Sequence, residues 1–149
     1  MKKPLAVAIF WAVSLASLAA DPPSAPGPAT NSSLVQARQA LEVKNYDLAV
    51  KVLNQSDEKS SADWHNLMGY SLRQKSPPDL AAAEKNYLLA LEKDPKHRGA
   101  LEYYGELLLL KNDLAGAEAL LQRLDKACFF GCEELRDLKK SVADFKAKK

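Results

Sequence analysis

From Leu34 to Phe145 apolar residues recur three and four positions apart, and the chain is rich in Ala, Leu, Glu and Lys with few β-branched residues. Strands alternate apolar and polar positions; this spacing instead makes apolar stripes on helices. The residue types agree, because these side chains lose little freedom on entering a helix. The pattern predicts an all-α domain over residues 33–147.

The helical pattern itself repeats. Ala49, Ala83 and Ala117 stand 34 residues apart, preceded at one offset by Tyr46, Leu80 and Leu114 and followed by Leu53, Tyr87 and Leu121. Seven residues beyond the alanines stand Ser56, Ala90 and Leu124. A second set, Gly69 and Gly105, opens the matching helix in two copies, with Ala37 in that place in the first. Small residues at fixed intervals have a physical use. Where two helices cross closely only Gly or Ala lets the backbones approach, and a larger partner side chain fills the notch.

At these residues the sequence resembles the tetratricopeptide repeat, a 34-residue pair of antiparallel helices. The copy NLMGYSLRQKSPPDLAAAEKNYLLALEKDPKH carries the glycine, small residue, aromatic and Asp-Pro of that pattern, and GALEYYGELLLLKNDLAGAEALLQRL carries most of it. The first copy, SLVQARQALEVKNYDLAVKVLNQ, keeps Tyr46 and Ala49. The resemblance implies an α-solenoid of three helix hairpins, at about 33–59, 62–97 and 98–127. Asp94-Pro95 ends the second helix of the middle copy, since proline cannot continue it and the residue before it avoids α geometry. Two extra residues fall in the KSPPD turn, and the junction between copies one and two is two residues short; both changes are expected in turns, where length varies most freely.

A stack of this kind leaves an apolar face at its end that needs a cap. Residues 132–147 supply one: Leu135, Leu138, Val142 and Phe145 form a stripe, with Glu133 and Glu134 at the positive end of the helix dipole and Lys146 toward the negative end. Both cysteines of the chain, Cys128 and Cys132, sit where this helix begins. In an unbroken helix their Cβ atoms would be roughly 5–6 Å apart, beyond the roughly 3.5–4.5 Å a disulfide requires. Gly131 permits the break that would let them join. A disulfide is the favoured reading for an exported domain; a redox pair, a metal site and two free thiols are the alternatives.

Export is expected from the first residues. Lys2 and Lys3 precede an apolar run from Leu5 to Ala16, and Ser17-Leu18-Ala19 has the small-x-small form of a signal-peptide cleavage site. The reading is a signal peptide over 1–19, cut after Ala19 or Ala20, then a disordered Pro/Ser-rich linker over 20–32 and a periplasmic domain without stable membrane insertion. The full chain has 21 Lys and Arg against 19 Asp and Glu, and losing Lys2 and Lys3 brings them into balance. No dense basic face remains for nucleic acid, and the terminal FKAKK reads as a solvated helix end.

The chemistry of catalysis is not legible. His65 and His97 stand without a motif, no glycine-rich phosphate loop occurs, and no nucleophile is paired by spacing with a base. Both histidines are expected at solvated or edge positions. The chain reads as a non-enzyme without cofactor or metal. The resemblance implies a concave groove lined by the first helix of each hairpin, which maps onto Arg38 and Glu42, then Asn66, Tyr70, Arg73 and Gln74, then Glu102, Tyr103 and Glu106. Tyrosine rings mixed with polar groups suit peptide recognition. Leu34 and Arg38 stand where the members that clamp a C-terminal carboxylate carry Lys and Asn, so that ligand class is not expected. The expectation is an adaptor or scaffold for a protein or peptide partner in the cell envelope, with self-association open. The alternative is a redox or metal-handling accessory factor acting through Cys128 and Cys132.

Overall fold

The computed structural model describes residues 32–148; the expected signal peptide and all of the linker but Ser32 lie outside them. These residues form seven α-helices and no strand: α1 Ser33–Glu42, α2 Tyr46–Asn54, α3 Ala62–Gln74, α4 Leu80–Lys93, α5 Arg98–Leu110, α6 Leu114–Ala127 and α7 Glu133–Ala147. The all-α expectation is met. In the described residues α1 packs on α2, α3 on α4 and α5 on α6, while α1, α3, α5 and α7 lie side by side in that order.

The 34-residue spacing reappears as chemistry at three helix starts. Asn45, Asp79 and Asp113 accept the backbone N–H of Leu48, Ala82 and Gly116 at 3.1, 2.9 and 2.9 Å. Each thereby satisfies one of the orphan donors of α2, α4 and α6. The same three residues close the preceding turns: Asn45 donates its N–H to the Ala40 carbonyl and Asp113 to that of Leu108, both at 2.8 Å, and Asp79 donates to that of Leu72 at 2.9 Å. The reach is five residues in two turns and seven in the other, so the two extra residues at Pro77 and Pro78 loop outward without altering the helix ends. Four residues into each helix, Ala49, Ala83 and Ala117 are wholly buried.

The notches are filled from different directions. A Cβ added at Gly69 on α3 would meet the Tyr87 ring of α4 at 2.8 Å, so the ring lies on the α3 backbone. A Cβ added at Gly105 on α5 would meet Leu138 of α7 at 2.7 Å. The repeat pattern pairs Gly105 with Leu121, the counterpart of Tyr87. Leu121 is instead half-buried, and Leu138, wholly buried, takes the space. The C-terminal helix thus enters the core at Gly105. Leu135 and Val142 are buried beside it and Phe145 packs partly against the same cluster, as the stripe predicts.

One expectation about copy one is corrected. The shortening lies in α2 itself, which has 9 residues against 14 in α4 and α6. Ser56, expected on the helix, lies beyond its end. Its hydroxyl accepts the N–H of Glu58 at 3.0 Å, a local bond that competes with helix continuation. The Trp64 indole donates to the Leu53 carbonyl at 2.8 Å, satisfying an acceptor that a longer helix would have used. The Asp94-Pro95 stop holds, with α4 ending at Lys93 and Asp94 extended.

Cys128 and Cys132 are joined in a disulfide with Cα atoms 5.6 Å apart. The helix breaks between them as geometry demands: α6 ends at Ala127, Gly131 adopts φ +82° and donates its N–H to the Cys128 carbonyl at 2.7 Å. Phe129 and Phe130, held inside this short loop, project into solvent, 86% and 97% exposed.

Leu138→Ala is expected to cost about 2–5 kcal/mol, the range for emptying a buried leucine site, while Leu88→Ala on the exposed side of α4 should stay within about 0.5 kcal/mol. Urea midpoints of the two variants check this. Replacing both cysteines with alanine should cost about 2 kcal/mol on the chain-entropy account of a five-residue loop; an unchanged midpoint would show that the loop holds α7 without the bond.

Candidate functional site

The face formed by α1, α3, α5 and α7 carries a run of tyrosines. Tyr46 at the start of α2 meets Tyr70 of α3 edge-on, with centroids 6.3 Å apart, and Tyr70 meets Tyr103 of α5 at 4.7 Å. Centroids at these separations are within the favourable range for aromatic pairs. The Arg73 guanidinium lies 5.6 Å from the Tyr70 ring centroid and 5.7 Å from that of Tyr103, close enough for cation–π attraction to both. Its Nη2 donates to Glu106 Oε2 at 2.8 Å, and the Ser141 hydroxyl of α7 donates to the other oxygen of Glu106 at 3.3 Å.

A cleft of about 460 Å³ opens beside this run. Of the groove positions read from sequence, Arg38, Glu42, Asn66, Tyr70 and Tyr103 line it, together with Leu41, Leu67, Asp63, His97, Gly99 and Glu134. Arg73 and Glu106 line a second cleft of about 360 Å³ with Leu109, Leu110 and Phe145. Gln74 is exposed at the end of α3 and borders neither cleft. Three positions expected to be hydrated readers are instead buried, with Asn66 and Glu102 7% exposed and Arg73 9%. The tyrosine rings and the neighbouring helices cover them. Arg73 in particular braces the face and is not free to meet a partner.

Asp63 and His97 are site residues that motif reasoning did not find. His97 caps α5: its Nδ1 accepts the N–H of Ala100 at 3.1 Å, which leaves the proton on Nε2 to be donated to Asp63 Oδ1 at 2.9 Å. Arg38 donates to Asp63 Oδ2 at 3.0 Å. Burial pushes the Asp63 pKa up, but the hydrogen bonds from His97 and Arg38 and the charge of Arg38 outweigh it and hold the carboxyl below its usual value. A histidine at a helix start is a legible capping signal only once the helix start is known. His65 is likewise no solvated edge residue: it is buried on α3, and its Nδ1 lies 3.1 Å from Asn86 Oδ1 of α4.

Glu102 is the most perturbed acid of the face. Burial, reinforced by Glu106, Asp137 and Glu134, pushes its carboxyl up to about 8, against a smaller opposing pull from Arg73. Burial also raises the phenols of Tyr70 and Tyr103. Asn66 Oδ1 is buried without a hydrogen-bond partner. The cysteine sulfurs and a Glu134 oxygen lie within 4.8 Å of one another, but the two sulfurs are bonded to each other and neither offers the thiolate that metal binding or nucleophilic chemistry requires. No helix among the described residues is long and apolar enough to cross a membrane.

No protein-family model and no curated protein matches the chain.

Because the Glu102 carboxyl is raised in the folded protein, its protonated form is the one the fold favours. Its contribution is complete below the ordinary carboxylate range near pH 4.5 and is lost as pH rises through about 8. Stability to urea should therefore fall between these limits, and Glu102→Gln should flatten that slope and leave the variant more stable than the parent at pH 9. A parent and variant with parallel pH profiles would contradict the assignment.

Proposed function

We propose that this chain is a non-enzymatic adaptor of the tetratricopeptide type. In this reading three helix hairpins and a capping helix stack as a solenoid, and a segment of another protein binds along the face of α1, α3 and α5. The observation that carries it is the recurrence, 34 residues apart, of one set of features: a capping Asx, a wholly buried alanine and the same turn-closing bond at Asn45, Asp79 and Asp113. Hairpins built alike and stacked in order set their first helices side by side, and repeated helix pairs of this kind make extended concave binding surfaces.

The character of the face supports a polypeptide ligand. Tyr46, Tyr70 and Tyr103 supply rigid contact area at little entropic cost, and the cleft beside them mixes apolar walls at Leu41 and Leu67 with fixed polar groups at Asp63, Asn66 and His97. Glu42 is exposed at its edge, Arg38 is exposed and bonded to Asp63, and Gln74 is exposed at the end of α3. The export signal expected at residues 1–19 supports a partner in the cell envelope.

A photo-crosslinking residue at Glu42 or Gln74 of the exported protein should capture a discrete partner in cells, whereas the same residue at Leu88 should not. Tyr70→Ala should abolish the Glu42 adduct with the far-ultraviolet helical signal unchanged. Equal capture from Leu88, or an adduct indifferent to Tyr70→Ala, would remove the groove from its assigned role.

A further inference from the structure

The polar groups of the cleft do not balance among themselves. Both oxygens of Asp63 are occupied, by His97 and Arg38, and both oxygens of Glu106, by Arg73 and Ser141. These bonds use the two arginines of the face. Two acceptors of the cleft are left over. Asn66 Oδ1, in the cleft wall, has no donor although the residue is more than nine-tenths buried. Glu134 at the cleft edge has only Arg98, at 4.0 Å. A buried acceptor without a donor is costly.

We propose that the cleft receives a cationic side chain, a lysine or arginine of an extended polypeptide, with Asn66 Oδ1 as its acceptor and Glu134 as its counter-charge. This rests on the peptide-binding reading of the face and specifies what that peptide must carry. The surplus is of acceptors and negative charge, which calls for a donor that is positive rather than a neutral amide. Leu41 and Leu67 offer apolar wall for the aliphatic stem of a long basic side chain, and the Tyr70 and Tyr103 rings offer faces to its charge. A compact metal ion fits less well. Among the described residues only Cys128, Cys132 and Glu134 bring three metal-type ligand atoms within 4.8 Å of one another, so the cleft acids are spread for a longer cation.

The probe is Nα-acetyl-arginine N-methylamide, with the citrulline analogue as an uncharged control of nearly the same shape. Each is titrated into the full chain at neutral pH, and the aromatic ring signals of Tyr70 and Tyr103 are followed by NMR. The arginine compound should shift both rings saturably and the citrulline compound at least about tenfold more weakly, because a charge-assisted bond is lost. Glu134→Gln should weaken arginine binding several-fold, and Asn66→Asp should tighten it. Equal binding of the two compounds, shifts that do not saturate, or weaker binding to Asn66→Asp would each overturn the proposal. Crosslinked capture at Glu42 that persists when the arginine compound fails to bind would leave the peptide groove standing and remove the cation alone.

Discussion

The close approach of α3 to α4 at Gly69 is the constraint on which the rest of the molecule depends. With no Cβ there, the Tyr87 ring lies on the α3 backbone, wholly buried, and its placement sets how α3 is rotated. That rotation turns Asn66, Tyr70 and Arg73 toward α5 and holds Tyr70 against Tyr103. The second glycine does the same work with another partner: Leu138 of α7 lies over Gly105 and joins the last helix to the core. Packed interiors are close to crystal density and tolerate little change of shape, so the two glycines translate directly into the position of the binding face.

Much of this was legible because it is local. Asp94-Pro95 stops a helix wherever it falls, and a four-residue cysteine spacing with an intervening glycine implies a broken helix. Small residues at 34-residue intervals, with apolar stripes at helical spacing between them, sufficed for the helices and their order. The 9-residue α2 escaped notice because its end depends on Trp64, eleven residues onward, reaching back to the Leu53 carbonyl. No repeat pattern contains that bond.

The candidate site was legible as a set of positions and not as a set of roles. Residues on the first helices do share a face, yet periodicity cannot say which of them are covered. Arg73 is drawn beneath two rings and bonded to Glu106, 33 residues away, and Glu102 is buried among acids that α7 brings from beyond the repeats. The Asp63–His97 pair arises from the start of α3 meeting the start of α5, a juxtaposition visible only after the helices are stacked. Roles of this kind are set by tertiary contacts, which is why functional inference has to pass through the site and not stop at the fold.

Gly69→Ala tests the central constraint through the sign of a stability change. Alanine is the better helix former by about 1 kcal/mol, so an unobstructed α3 would be stabilised by the substitution. The added Cβ would instead fall 2.8 Å from the Tyr87 ring, which is enclosed on all sides. The measurement is the urea unfolding free energy of Gly69→Ala and of Gly69→Ala with Tyr87→Leu. Loss of stability in the first, with part of it restored in the second, is the predicted result. A Gly69→Ala protein more stable than the parent would mean that the notch does not exist, and the face built upon it would lose its basis.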